Sequence, residues 1–126
     1  MKRLAEVLFG LLILGLPAQA QIATAQADGA VLRTLDKVSG TITNQTMLQE
    51  MTTQLGNLSV TLSECRYPID NPAGDAFARI IIRSAKQTAP VFQGWMIASS
   101  PALSSLDHAR YDVWVLRCTI PEADTE

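Results

Sequence analysis

"LSVTLSEC", Leu58–Cys65, is the stretch whose reading decides the fold. Apolar and hydroxyl-bearing residues alternate strictly through it, with Leu58, Val60 and Leu62 in one phase and Ser59, Thr61 and Ser63 in the other. A period of two places the first set on one face of a strand and the second on the opposite, wetter face. Cys65 falls in the polar phase, so a regular strand would turn it outward. Its position predicts a β-bulge that resets the phase, or a disulfide at a sheet edge.

Similar runs, bracketed by turn signals, lie on both sides. Ala30–Val38 reads as a strand, Ser39–Gly40 as a tight turn and Thr41–Thr46 as the partner strand of a hairpin. Met47–Leu55 fits a short strand or a loop, and Gly56–Asn57 is a turn signal. "YPIDNPAGD", Tyr67–Asp75, is a loop for mechanistic reasons: its prolines fix φ and its Asp and Asn side chains cap their own backbone. Ala76–Ser84 is a strand with Ile80 and Ile82 facing one way and Arg79 and Arg83 the other. Val91–Ala98 is apolar in both phases, which predicts a central strand covered on both sides. Tyr111–Cys118 is the last strand.

Between those two, Ser100 and Pro101 resemble a helix start, with a capping hydroxyl and a proline where its missing N–H is harmless. Leu103 and Leu106 then share one face, so Ser100–Leu106 is expected to form a short helical turn pinned to the core. The expected fold is all-β: a small antiparallel β-sandwich or partly open barrel of six to seven strands, with one short helical turn and one disulfide.

The chain of 126 residues opens with Lys2 and Arg3, an apolar run Val7–Leu16, Pro17 and the small-x-small triplet Ala18–Ala20. That layout is a secretory signal peptide over residues 1–20, with cleavage after Ala20 and with Ala25 and Ala27 as alternative sites. The apolar run is too short to cross a bilayer, which takes about twenty residues. Residues 21–29 read as a flexible linker, 30–120 as a single β domain and 121–126 as a disordered tail. The expected address is the periplasm, reached by the general secretory route.

Losing Lys2, Arg3 and Glu6 with the leader leaves 8 basic and 11 acidic side chains, from 10 and 12 in the whole chain. This balance, without a basic cluster, argues against nucleic acid as a partner, and no further segment is apolar enough to span a membrane. Both cysteines remain, and an even count in an exported domain reads as a Cys65–Cys118 disulfide. Free thiols or a redox pair are the alternatives, although a redox pair would normally show a C-x-x-C spacing.

"FQGWMIASSPALSSLDHARYDVWV", Phe92–Val115, holds four of the six aromatic residues that follow residue 20, and the only histidine. A hydrolase would use His108 as base, Asp107 or Asp112 to orient it, and Ser99, Ser100, Ser104 or Ser105 as nucleophile. Asp107 directly precedes His108, a poor arrangement for orientation, and no G-x-S-x-G elbow is present. No catalytic residues are therefore assigned, and His108 reads as a loop brace. No metal or other cofactor is expected, because His108 is alone and the Asp70, Asn71 and Asp75 loop is better explained by side chains capping their own turn. Trp95 and Trp114 are expected to pack in the core, with Trp95 the better candidate for exposure because Gly94 beside it admits an approaching backbone.

"LDKVSG" (Leu35–Gly40), "LSVTLSEC", "FQGWMIASSPALSSLDH" (Phe92–His108) and "YDVWVLRC" (Tyr111–Cys118) together resemble an exported alphaproteobacterial family known as domain of unknown function 2155. The resemblance runs from about Ala30 over nearly all of the remaining chain. It implies a periplasmic all-β domain with a cysteine pair and no assigned activity, and it supplies no catalytic residues. Genes of the family lie near an accessory subunit of respiratory NADH dehydrogenase, which implies a partner at the outer face of the inner membrane. The functional expectation is a non-enzymatic interaction or assembly module for an inner-membrane or envelope complex. Its interaction-surface candidates are Trp95, Met96, Ser99, Ser100, Asp107 and His108. The alternative is a cell-envelope glycan-binding module or weak hydrolase using Trp95 and His108.

Overall fold

A computed structural model describes Gly15 and residues 22–120. The expected cleavage site and C-terminal tail lie outside the described residues. Eight strands follow one another: β1 (Thr24–Gln26), β2 (Gly29–Asp36), β3 (Ile42–Leu48), β4 (Thr52–Leu55), β5 (Leu58–Pro68), β6 (Phe77–Ser84), β7 (Phe92–Ile97) and β8 (Tyr111–Thr119). They form two antiparallel sheets, and no helix occurs among the described residues. One sheet runs β1-β5-β6-β7 with β4 also paired to β5, and the other runs β3-β2-β8. The sheets face each other as an open sandwich, the all-β class the alternation predicts.

β5 organises the first sheet because it is long enough, at 11 residues, to take β4 beside its first half and β1 beside its second. Leu58, Val60 and Leu62 are fully buried and face Ile82 and Ile80 of β6 through the same inner layer. The register then shifts between Leu62 and Glu64, so that one extra residue enters β5. That bulge returns Cys65 to the inner face, where it is fully buried and joined to Cys118 of β8. The disulfide therefore ties one sheet to the other through the core, and no free cysteine remains. From the second sheet, Ala30, Leu32, Met47, Val113 and Val115 complete the apolar layer.

The turns follow from their residues. Gly40, at φ 76, closes the β2–β3 hairpin, where Asp36 accepts hydrogen bonds at its Oδ1 from the Val38 and Ser39 amides. Gly56, at φ 59, opens the two-residue β4–β5 turn, and a Cβ there would lie 2.1 Å from the Tyr111 hydroxyl oxygen. Conformation and space both demand glycine at that position.

Three expectations are corrected. β7 is an edge strand paired only to β6, not a covered central one, and of its residues only Met96 is buried. Its inner phase meets the core, but among the described residues no layer lies over its outer phase, so apolarity on both faces here marks an exposed patch. Ser100–Leu106 is not helical: it contains a single turn in which the Leu103 amide donates to the Ser100 carbonyl. Leu106 enters the core at 5% exposure, whereas Leu103 is 75% exposed and anchors nothing. Neither tryptophan belongs to the buried core, and they lie on different sheets, Trp95 on β7 and Trp114 on β8. In addition Thr24–Gln26, within the stretch read as a linker, pairs with the end of β5, and Arg66 Nε donates to Thr24 Oγ1 at 2.9 Å.

Candidate functional site

Alternation fixes which side chains occupy the outer face of the five-stranded sheet. On β6, Ala78, Ile80 and Ile82 are buried, so Phe77, Arg79, Ile81 and Arg83 point outward. In register beside them on β7 stand Ile97 against Phe77, Trp95 against Arg79 and Gln93 against Ile81. On β5, Arg66 neighbours Phe77 and Glu64 neighbours Arg79. Trp95, Phe77 and Ile97 enclose, with Ile22, Thr24 and Arg66, an apolar groove of about 460 Å³. Trp95 is 39% exposed, so a broad aromatic face stays open to an approaching ligand.

The charge of this face is distinctive. Arg66, Arg79 and Arg83 stand against the single carboxylate Glu64, within a chain of formal net charge −2. Glu64 lies 3.6 Å from Arg66, and among the described residues Arg79 forms no salt bridge. The groove thus has an aromatic wall and one guanidinium, Arg66, paired with Glu64, while Arg79 and Arg83 stand beside it on the same face with no salt bridge among the described residues.

The candidates Trp95, Met96, Ser99, Ser100, Asp107 and His108 do not form one surface. Trp95 borders the groove just described, while Met96, one residue along the strand, is 1% exposed and belongs to the core. Ser99 lies at another depression, of about 430 Å³, beside Pro72, Asp75 and Arg117. Ser100 and Asp107 are exposed in the β7–β8 connection. His108 lines a third depression with Lys86, Arg110 and Tyr111. The partners of Trp95 that alternation alone could have supplied are Phe77 and Arg79, since their phase is readable from the isoleucines of the same strand.

His108 braces its loop. Its Nδ1 accepts hydrogen bonds from the amides of Arg110 at 3.0 Å and Tyr111 at 3.2 Å, and its ring stacks on Tyr111. A neutral imidazole with Nδ1 as acceptor carries its proton on Nε2. Among the described residues no hydrogen bond joins His108 to a serine or an aspartate, so the serine, histidine and aspartate set is not assembled. Ser99 instead donates from its hydroxyl to Asp75 Oδ2 at 2.7 Å and from its amide to Asp75 Oδ1 at 3.1 Å. Asp75 also accepts from the Ala76 amide, so it ties the Tyr67–Asp75 loop to the β7–β8 connection. Among the described residues no group of three metal-ligating side chains gathers.

A second clamp holds the β2–β3 hairpin to the start of β8. Arg110 Nη2 lies 3.0 Å from Asp36 Oδ2, and Lys37 Nζ lies 3.5 Å from Asp112 Oδ1. The Arg110 guanidinium, helped by the Val38 and Ser39 amides and opposed by burial, lowers the Asp36 carboxyl from 3.8 to about 2. A carboxyl held below its unfolded value contributes stability that is complete above that value and disappears as pH falls through the folded one. The stability difference between wild type and Asp36→Asn should therefore be constant above pH 5 and shrink between roughly pH 4 and pH 2, as urea titrations across that range would show. A difference that stays constant down to pH 2 would refute the clamp.

A family model for an uncharacterized protein conserved in bacteria (DUF2155) matches residues 30–118. No curated protein and no solved structure matches the chain.

Proposed function

The chain belongs to the bacterial family DUF2155, and from that premise we propose that it is a non-enzymatic periplasmic interaction module whose contact surface is the Trp95 groove. The observation that carries this reading is the half-open indole of Trp95, walled by Phe77 and Ile97 on a sheet face that no second layer covers among the described residues. Exposed tryptophan beside arginine is the composition that dominates binding energy at protein interfaces. A disulfide buried between the sheets supports an oxidising compartment, and the leader-like Met1–Ala20 supports export by the general secretory route. The partner is a protein of the inner membrane's outer face or of the envelope, where the module has an assembly role.

Full-length protein immobilised and exposed to periplasm and solubilised inner membrane should retain a stoichiometric partner. Trp95→Ala should fold normally and lose that partner by at least about tenfold, the scale of a central aromatic contact. His108→Ala should retain it, because His108 lies on another depression. Retention by Trp95→Ala, or the lack of any stoichiometric partner for wild type, would refute the reading. An envelope glycan is the other ligand that an open indole suits, and sedimentation with peptidoglycan that is lost in Trp95→Ala would favour it instead.

A further inference from the structure

Among the described residues β7 is the last strand of its sheet, and nothing pairs with its outer edge. The Ala98 amide donates to the Ala76 carbonyl at 2.9 Å, which makes Ala76 and Ala98 a hydrogen-bonded pair. Antiparallel pairing alternates, so Met96, Gly94 and Phe92 also bond to β6, while Gln93, Trp95 and Ile97 direct their amides and carbonyls away from it. The Ile97 carbonyl accepts from the Ser100 amide, but no turn or loop bond among the described residues reaches the backbone of Gln93 or Trp95. Both residues are exposed. Phe92–Ile97 contains no proline, no charge and no bulge, the devices by which sheet edges are ordinarily shielded from pairing.

We propose that the free edge of β7 takes up an extended, acidic segment of a partner protein as an added strand, packed against Trp95 and Ile97. The inference rests on the groove being the contact surface and adds how, and by what chemistry, it binds. Backbone pairing to Gln93 and Trp95 supplies affinity that does not depend on partner sequence, and outward side chains supply selectivity. On the outer face, the added strand stands next to Trp95 and Ile97, which select an apolar side chain. Beyond Trp95 lies Arg79, then Glu64 and Arg66, so an acidic side chain on that face meets net positive charge.

The probe is a short blocked peptide in which valine and glutamate alternate along one face and threonine fills the other. Its counterpart carries lysine for glutamate. Backbone amide signals of Gln93 and Trp95 should move on titration with the acidic peptide, with a dissociation constant below about 1 mM and at least about tenfold weaker binding of the lysine peptide. Gln93→Pro removes only an outward amide, which an edge strand tolerates, and should weaken binding by at least about tenfold with the fold intact. Arg79→Glu, which does not touch the edge backbone, should reverse the preference between the two peptides.

No binding of the acidic peptide at millimolar concentration would overturn the proposal. Binding that Trp95→Ala abolishes and Gln93→Pro leaves unchanged would also overturn it, while leaving the groove as a contact surface. Loss of partner capture by wild type, in contrast, would remove the groove reading itself. Dimerisation of the free protein that Gln93→Pro abolishes would assign the edge to a second copy, and binding to anionic vesicles that ignores Gln93→Pro would assign the arginines to lipid. Either result refutes a partner strand.

Discussion

Reducing the Cys65–Cys118 disulfide should lower the thermal midpoint by roughly 15–30 °C, the shift expected when about 4 kcal/mol is lost from a domain of this size. The bond closes a sequence separation of 53 residues, so its loss frees a long loop in the unfolded chain. It also joins strands of different sheets, β5 and β8, that share no ladder. Beside that bond the sheets meet mainly through apolar side chains, which resist separation without fixing alignment, with a directional tie at the rim where Gln45 Nε2 donates to Thr53 Oγ1 at 2.8 Å. Scanning calorimetry with and without a reductant measures the effect. Cys65→Ala, Cys118→Ala and the double variant should show nearly equal midpoints, because each removes the same bond and the losses do not add. A shift of only a few degrees would mean that packing alone aligns the sheets.

That staple was legible in two parts. The even cysteine count suggested the pairing, and the misfit of Cys65 to its strand's phase predicted either a bulge or a disulfide at a sheet edge, of which the register shift at Leu62–Glu64 displays the first. Local alternation is strong evidence because a strand with one buried face has no other way to place its side chains. What alternation cannot show is which strand neighbours which. Phe92–Ile97 is apolar in both phases, and the sequence offers no local signal that its second ladder is missing. The position of β7 is decided by β1 and β4 filling the far side of β5 and by β8 leaving for the other sheet.

The candidate site fell short for the same reason. Phe92–Val115 was read as one patch because its unusual residues are close in sequence, but strand and loop geometry sends them to separate depressions. Met96 faces inward by the same alternation that turns Trp95 outward. The groove's other walls come from β6, β5 and the segment around Ile22, which proximity in sequence could not connect with Trp95. Asp75 was weighed as part of a loop of oxygen ligands, yet among the described residues its carboxylate accepts hydrogen bonds from Ala76 and Ser99 alone. A cap on one's own turn and a tie to a distant loop have the same local sequence, and only the fold separates them.

Ile80→Ala should destabilise the protein by about 2–5 kcal/mol, while Ile81→Ala, at the next position, should cost about 1 kcal/mol or less. The two side chains are chemically identical and differ only in the face they occupy. Ile80 is fully buried, flanked in register by Leu62 on β5 and by Gly94 on β7. Since Gly94 contributes no side chain, little is available to relax into the space that a shortened residue would leave, and the cavity cost is retained. Ile81 lies between Thr61 and Gln93 on the outer face and is only half-buried. Its truncation removes contacts that water replaces. Urea denaturation of the two variants, with a shared slope, converts their midpoints directly into this difference. Equal costs would mean that both faces of the sheet are covered, as in a central layer, and the open face on which Trp95 and Arg79 stand would not exist in solution. A larger cost at Ile81 would invert the sheet and turn the groove into core.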